Sequence, residues 1–302
     1  MFENVSEERM SKTLNQICDV SQTIEEGKPR TYVGPLLSRH YKCSRDRLDA
    51  VTKCLKDLQL QQFPYEFTWP NATNQEICYK GKNLIVTKKG NMPKVLLGCH
   101  SDYCGGEGAN DNCTGIDVLL EIARVMHRSP LIDDVGFAFF DLEEIGRLGS
   151  QHFIQRYESK LPQIDHMIAV DSIGDVRGLY IWDETKRKKN DQLLMKDGQI
   201  LKSQQIMRNL QRSAEHTGRP IKTREFPTIA SDHCSFNTAG VPTMGLISAD
   251  YDAYALSLKD TSGEIRYNTA NHSDDVRASV HMPNLTATAR MLVHYLMTRR
   301  AA

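Results

Sequence analysis

Apolar positions along this chain follow two rhythms that take turns. At helical spacing, Met10, Leu14 and Ile17 follow Ser6, a candidate N-cap, and predict a helix over 6–20. Leu48, Val51, Cys54, Leu55 and Leu58 form the apolar face of a second helix, with Ser44 as its cap. Ile116, Leu119, Leu120 and Ala123 mark a third over 114–127, where Thr114 and Asp117 stand in a near capping-box arrangement. Further helices are predicted over 150–157, 203–216 (closed by Gly218) and 284–298. Between them lie short apolar runs at 83–87, 94–98, 135–140, 166–170, 178–182, 221–226 and 242–247. Runs without polar alternation, such as 135–140, are the pattern of strands buried on both faces. The stretch 67–79 is turn-rich around Pro70-Asn71 with room for a strand, and 25–42 reads as an irregular link. The most charged stretch, 186–196, reads as an exposed excursion.

Strands alternating with helices predict an α/β fold, a single globular α/β/α sandwich around a mixed, largely parallel central sheet. No internal repeat or long linker divides the chain. The expectation is one domain over 1–302, with 1–42 as an N-terminal helical extension.

Composition sharpens this only in places. With 38 basic and 38 acidic residues the formal net charge is zero, so nothing draws the chain to nucleic acid or an anionic membrane. No apolar run reaches the roughly 18–20 residues that span a bilayer. The first thirty residues lack the apolar core of a signal peptide, so the expected location is cytoplasmic and the eight cysteines are expected as free thiols. Cys99, Cys104, Cys113 and Cys234 stand beside the polar motifs described next. They are either small buried hydrophobes or a redox-sensitive pair such as Cys104 with Cys113.

Carboxylates and imidazoles gather where strands end, the place where α/β proteins build sites. His100 and Asp102 follow the 94–98 strand, and two residues apart on extended backbone they point the same way. A carboxylate there can hold the imidazole's second N–H. Asp111 lies in Gly108-Ala-Asn-Asp-Asn-Cys-Thr-Gly115, where the glycines would let the loop carry one carboxylate deep enough to bridge two cations. Asn110 and Asn112 read equally well as turn formers and caps. Glu143-Glu144 follow the 135–140 strand, and adjacent glutamates at a buried strand end need positive charge nearby. As sequence neighbours they point different ways, which separates a metal ligand from a general base. Asp171 ends the 166–170 strand, and His272 lies in Asn271-His-Ser-Asp-Asp275. Two dications would balance Asp111, Glu144 and Asp171 together with one hydroxide, whereas a single dication would leave carboxylates crowded and uncompensated.

The order His-x-Asp, Gly-Ala-Asn-Asp-Asn-x-x-Gly, Glu-Glu-x-Gly-x-x-Gly-Ser, Asp-x-Ile-Gly, Ser-Asp-His-x-x-Phe and His-x-Asp-Asp resembles the co-catalytic zinc aminopeptidases. That family includes glutamate carboxypeptidases and, as a divergent branch, glutaminyl cyclases. The resemblance runs from about residue 48 to the end and is strongest over 95–175. It implies an α/β/α sandwich with two Zn²⁺ per chain. His100 and Asp171 would hold one, Glu144 and His272 the other, and Asp111 would bridge them. Glu143 would be the general base, with Asp102 and Asp232 supporting the ligands.

Metal-assisted hydrolysis of a peptide or amino-acid amide is the activity implied, with a tyrosine among Tyr251, Tyr254 and Tyr267 placed to assist the oxyanion. An aminopeptidase is expected, because acids outnumber arginine near the motifs: Arg147 alone stands close, and a terminal carboxylate would want arginine. A glutaminyl cyclase is the alternative, although the family's cyclases resemble Trp-His where this chain has Asn271-His272. An inactive binding domain of the same fold is less favoured, since it would have no use for a full ligand set with a base. The oligomeric state stays open.

Overall fold

In the computed structural model, residues 1–22, 41–42, 45–70, 78–104, 106–189, 192–259 and 275–299 are described. The strands in chain order are β1 (Tyr41–Lys42), β2 (Gln61–Pro70), β3 (Cys78–Thr87), β4 (Val95–His100), β5 (Tyr103–Cys104), β6 (Val135–Phe140), β7 (His166–Val170), β8 (Leu179–Trp182), β9 (Lys188–Lys189), β10 (Gln192–Leu193), β11 (Lys222–Arg224) and β12 (Thr243–Ser248). The helices are α1 (Glu7–Gln22), α2 (Arg45–Leu55), α3 (Thr114–Met126), α4 (Leu148–Arg156), α5 (Asp197–His216), α6 (His233–Thr238), α7 (Tyr251–Ser257) and α8 (Met282–Thr298).

An eight-stranded sheet in the order β11-β8-β12-β7-β4-β6-β3-β2 divides the molecule. Its centre is parallel: β4 pairs with β6 on one side and β7 on the other, and β12 continues parallel to β7. Antiparallel pairs, β2 with β3, β3 with β6 and β12 with β8, and the parallel pair of β11 with β8 complete the mixed sheet. Alternate residues of the central strands face opposite layers, as the pleat requires. Leu97, Cys99, Phe137, Phe139, Ile168 and Val170 pack with the apolar faces of α1, α2, α3, α5 and α8. Leu96, Ala138, Phe140, Met167 and Ala169 pack under Phe153 of α4 and Phe236 of α6. These are the two outer layers of an α/β/α sandwich.

Helix α1 belongs to the larger core, contributing Met10, Leu14 and Ile17, all almost wholly buried. Removing each such side chain from water is worth roughly 1.5–3 kcal/mol. Ser6 caps the helix as expected, its Oγ accepting the N–H of Arg9 at 3.2 Å. The Ser6 amide and the Arg9 guanidinium both donate to the buried Glu121 of α3, which pins α1 in place. The expected cap at Ser44 and most of the 25–42 link lie outside the described residues.

Candidate metal centre

The three adjacent parallel strands β6, β4 and β7 end side by side, and each delivers a motif at its carboxyl end. His100 is the last residue of β4, Asp171 follows β7 directly, and Glu143-Glu144 follow β6 after a turn in which Leu142 takes φ 60°. A non-glycine residue in the left-handed region is uncommon and here reverses the chain just before the glutamates. The amides of Gly146 and Arg147 close that turn onto the Glu143 carbonyl at 2.8 and 2.7 Å.

The His100 imidazole is the hub. Its Nε2 lies 2.9 Å from Asp111 Oδ1 and 3.5 Å from Asp171 Oδ1. On the other side, Nδ1 lies 3.1 Å from the carbonyl oxygen of Asp102 and 3.5 Å from its Oδ1. The Asp102 carboxylate does more than face the ring: it accepts the backbone N–H groups of both Glu143 and Glu144 at 3.1 Å each. One buried carboxylate thus ties the end of β4 to the Glu-Glu turn.

Asp111 is carried in by a loop held from four directions. Its own amide and that of Asn110 donate to the two oxygens of Asp275 at 2.8 and 2.7 Å. Asn110 Oδ1 accepts the N–H of Gly174 at 2.7 Å, and Asn112 Nδ2 donates to the Val170 carbonyl at 2.9 Å, so both asparagines bind the loop to the β7 end. Asn112 Oδ1 also accepts the Gly115 amide at 2.8 Å and so serves the start of α3. A Cβ on Gly115 would meet that oxygen and the Val170 carbonyl at 2.5 Å, and Gly108 sits at φ 56°; both glycines are required by the path. The expected capping box is not formed. The Thr114 hydroxyl donates to the Asn110 carbonyl at 2.6 Å, and Asp117 is buried along α3, where burial holds its carboxyl well above the ordinary value.

The fourth hold, unseen in the sequence, is Arg47 of α2. It is buried, stacks 3.7 Å from the centroid of the Tyr103 ring, and donates to the carbonyls of Ser101 and Gly108 at 3.3 and 3.2 Å.

Electrostatically the cluster wants a cation. Burial, with neighbouring acids adding to it, pushes the Glu143 and Glu144 carboxyls well above their ordinary values. Burial likewise lifts Asp232 to about 6. Burial opposes the charged form of His100, but Asp171, Asp102 and Asp111 outweigh it and raise the imidazole well above its ordinary value. Burial would raise Asp171 as well, yet His100, Ser231 and Ser172 hold it below. Donor atoms of His100, Asp111 and Glu144 lie within 4.8 Å of one another, a nitrogen and oxygen set of the kind that suits Zn²⁺. The residues present fit the metal that the motifs imply.

The model of peptidase family M28 matches residues 83–281, which spans every one of these motifs. The chain belongs to peptidase family M28. Among curated relatives, it is 29% identical over 181 residues to aminopeptidase YwaD of Bacillus subtilis, a match covering 56% of this chain and 36% of that one. This M28 chain therefore spans about a third of that relative's length. Among solved structures, glutaminyl cyclase of Porphyromonas gingivalis superposes with a TM-score of 0.72 at 17% identity, covering 98% and 99% of the two chains. BSAP, a zinc aminopeptidase from Bacillus subtilis, gives 0.70 at 14% identity, covering 98% and 95%. Both share the fold.

Of the site residues expected from sequence, His100, Asp102, Asp111, Glu143, Glu144 and Asp171 come together, and His272 lies outside the described residues. Asp275, three positions after it, already reaches the Asp111 loop. Tyr267 also lies outside the described residues. Tyr254 is buried, and its hydroxyl is engaged with Thr228, whose backbone N–H donates to it at 3.2 Å. Tyr251 packs on Tyr180 and Phe226.

A cavity of about 180 Å³ opens over the cluster, with Asp111, Glu143, Glu144 and Asp171 on its polar side. Trp182, Ile229 and Ile247 supply its apolar side. Among the described residues this apolar side comes from the ends of β8 and β12 and the stretch before α6.

Proposed function

We propose that this M28 chain is a metallo-aminopeptidase that removes N-terminal residues from peptides or amino-acid amides. The observation that carries the reading is the lining of the cavity: no lysine or arginine stands in it among the described residues, and Glu143 is a carboxylate beyond the three that two dications and a hydroxide would balance. A free α-ammonium suits such a pocket, whereas a terminal carboxylate would want arginine. Arg147, the arginine nearest in sequence, lines a different cavity. The family and its aminopeptidase relative support the same reading.

His100, Asp111, Glu144 and Asp171 would hold zinc, together with His272, the further ligand the motifs imply. When bound, zinc lowers the pKa of water toward ~7 and polarises the scissile carbonyl. Glu143, whose amide is fixed by Asp102, takes the proton of the attacking water and returns it to the leaving amine. Trp182, Ile229 and Ile247 face the N-terminal side chain and favour an apolar one.

Aminoacyl-p-nitroanilides assayed beside their N-acetylated forms test the reading. Faster cleavage of the free-amine set supports it, and cleavage confined to blocked or carboxyl-terminal substrates overturns it. The superposition on a glutaminyl cyclase makes cyclisation of N-terminal glutamine without hydrolysis the second reading.

A further inference from the structure

On the far side of Trp182 lies a second cluster of reactive side chains that the hydrolytic reading does not use. Glu184 follows β8, and His233 and Cys234 open α6; their donor atoms lie within 4.8 Å of one another. His233 Nε2 is 3.6 Å from Cys234 Sγ and 3.7 Å from Glu184 Oε1. Arg187 Nη1 donates to the same sulfur at 3.5 Å and to Glu184 Oε1 at 2.8 Å. His233 is fully buried and Glu184 nearly so, and Glu184 Oε2 is left without a hydrogen-bond partner.

An imidazole and a guanidinium converging on one sulfur are the surroundings that favour a thiolate. Burial would raise the Cys234 thiol, but His233 and Arg187 outweigh it and hold it below the ordinary value. His233 rises in turn to about 10: burial opposes this, and Cys234 and Glu184 overcome it. The sulfur lines a cavity of about 660 Å³ together with Arg187, Arg147, Gln151 and Gln155. Two guanidinium groups suit carboxylates, and side-chain amides suit peptide groups.

We propose that Cys234 is a thiol-modification site that exchanges with small peptide disulfides carrying carboxylate groups. Its thiolate attacks one sulfur of the disulfide, a Cys234–sulfur bond forms as the original S–S bond breaks, and the other half leaves as a thiolate that takes a proton from water. Cys234 is oxidised to a mixed disulfide and the departing half is reduced to a thiol. The proposal stands apart from the hydrolytic reading, and the two cavities share no lining residue. The His233 ring packs edge-on against Trp182 at 4.5 Å between centroids, and Trp182 lines the acidic cavity.

Oxidised glutathione is the probe, applied to the full chain at about pH 7, with rates read peptide by peptide in a mass spectrometer. Exposed Cys78 of the same chain is the reference. Cys234 is expected to react at least ~10-fold faster than Cys78, Arg187→Gln to remove most of that advantage, and Arg187→Lys to restore much of it. Cystamine, which lacks carboxylates, is expected to show little preference for Cys234. If Cys234 in the unmutated chain reacts no faster than Cys78, the proposal is wrong, whatever the variants do. Equal rates for Arg187→Gln and the parent chain would overturn it as well.

Discussion

Asp102 Oδ1 accepts the backbone N–H of Glu143 at 3.1 Å, and its other oxygen takes the N–H of Glu144 at the same distance. The carboxylate therefore sets the position of both glutamates while its main-chain carbonyl faces His100 Nδ1. In Asp102→Asn, one oxygen becomes an amide donor facing a backbone N–H, so one of the two contacts is lost. Losing support of this kind costs about 10–100-fold in metal affinity or activity. Metal retained after dialysis and kcat, measured on the same preparation, check this. A variant with both values unchanged would show that the fork does not position the glutamates.

The two glutamates should separate in their effects. Glu143→Gln keeps size and hydrogen bonding but cannot take a proton, so kcat is expected to fall by at least ~10²-fold with metal content unchanged. Glu144→Gln removes charge from the donor set with His100 and Asp111 and is expected to loosen metal first. Elemental analysis beside kinetics distinguishes them. Equal metal loss in both variants would mean that the roles are wrongly divided.

Much of this was legible because burial on both faces leaves an unmistakable apolar run. Val135–Phe140 and His166–Val170 emerge with the bounds read from sequence, and the motifs at their ends fall where parallel strands must place them. Strand β2, Gln61–Pro70, was read only at its end, within 67–79, although Phe63, Tyr65, Phe67 and Trp69 alternate along it at the two-residue period; Pro64 and Pro70 masked a strand that lies, mostly exposed, at the sheet's edge. Helix α5 begins at Asp197, earlier than expected, because its first turns include exposed residues such as Leu201. Arg47 could not be recognised at all. An arginine in an amphipathic helix reads as solvated, and only the tertiary fold brings Tyr103 and the carbonyls of 101 and 108 around it. Asn110 and Asn112, by contrast, act as the turn and cap residues their type suggests.

Metal stoichiometry is the next expectation. Protein saturated with Zn²⁺ and desalted should approach two ions per chain, since one dication leaves the carboxylates around His100 uncompensated. Asp111→Asn should lower that number, because the carboxylate nearest His100 Nε2 would be gone. A plateau at one in the unmutated chain would favour the cyclase reading. No retained metal would end the argument for metal-assisted chemistry.

A pH effect is expected far from this site. His166, at the start of β7, is buried, and its Nε2 accepts the hydroxyl of Tyr295 at 2.7 Å. Burial, reinforced by the positive charges of Arg299 and Lys202, lowers the imidazole to about 3. The folded chain thus keeps this ring neutral over a range where the unfolded chain protonates it. Its contribution to stability is full above the unfolded value near 6.5 and is lost as pH falls toward about 3, at up to ~1.4 kcal/mol per pH unit. His166→Gln keeps an acceptor for Tyr295 but has no proton to gain. Urea unfolding at steps between about pH 6.5 and 4 should therefore show a shallower loss of stability in the variant than in the parent, even if the variant is less stable throughout. Parallel slopes would mean that His166 is already neutral in the unfolded chain or charged in the folded one, and the buried pair with Tyr295 would then have no part in acid sensitivity.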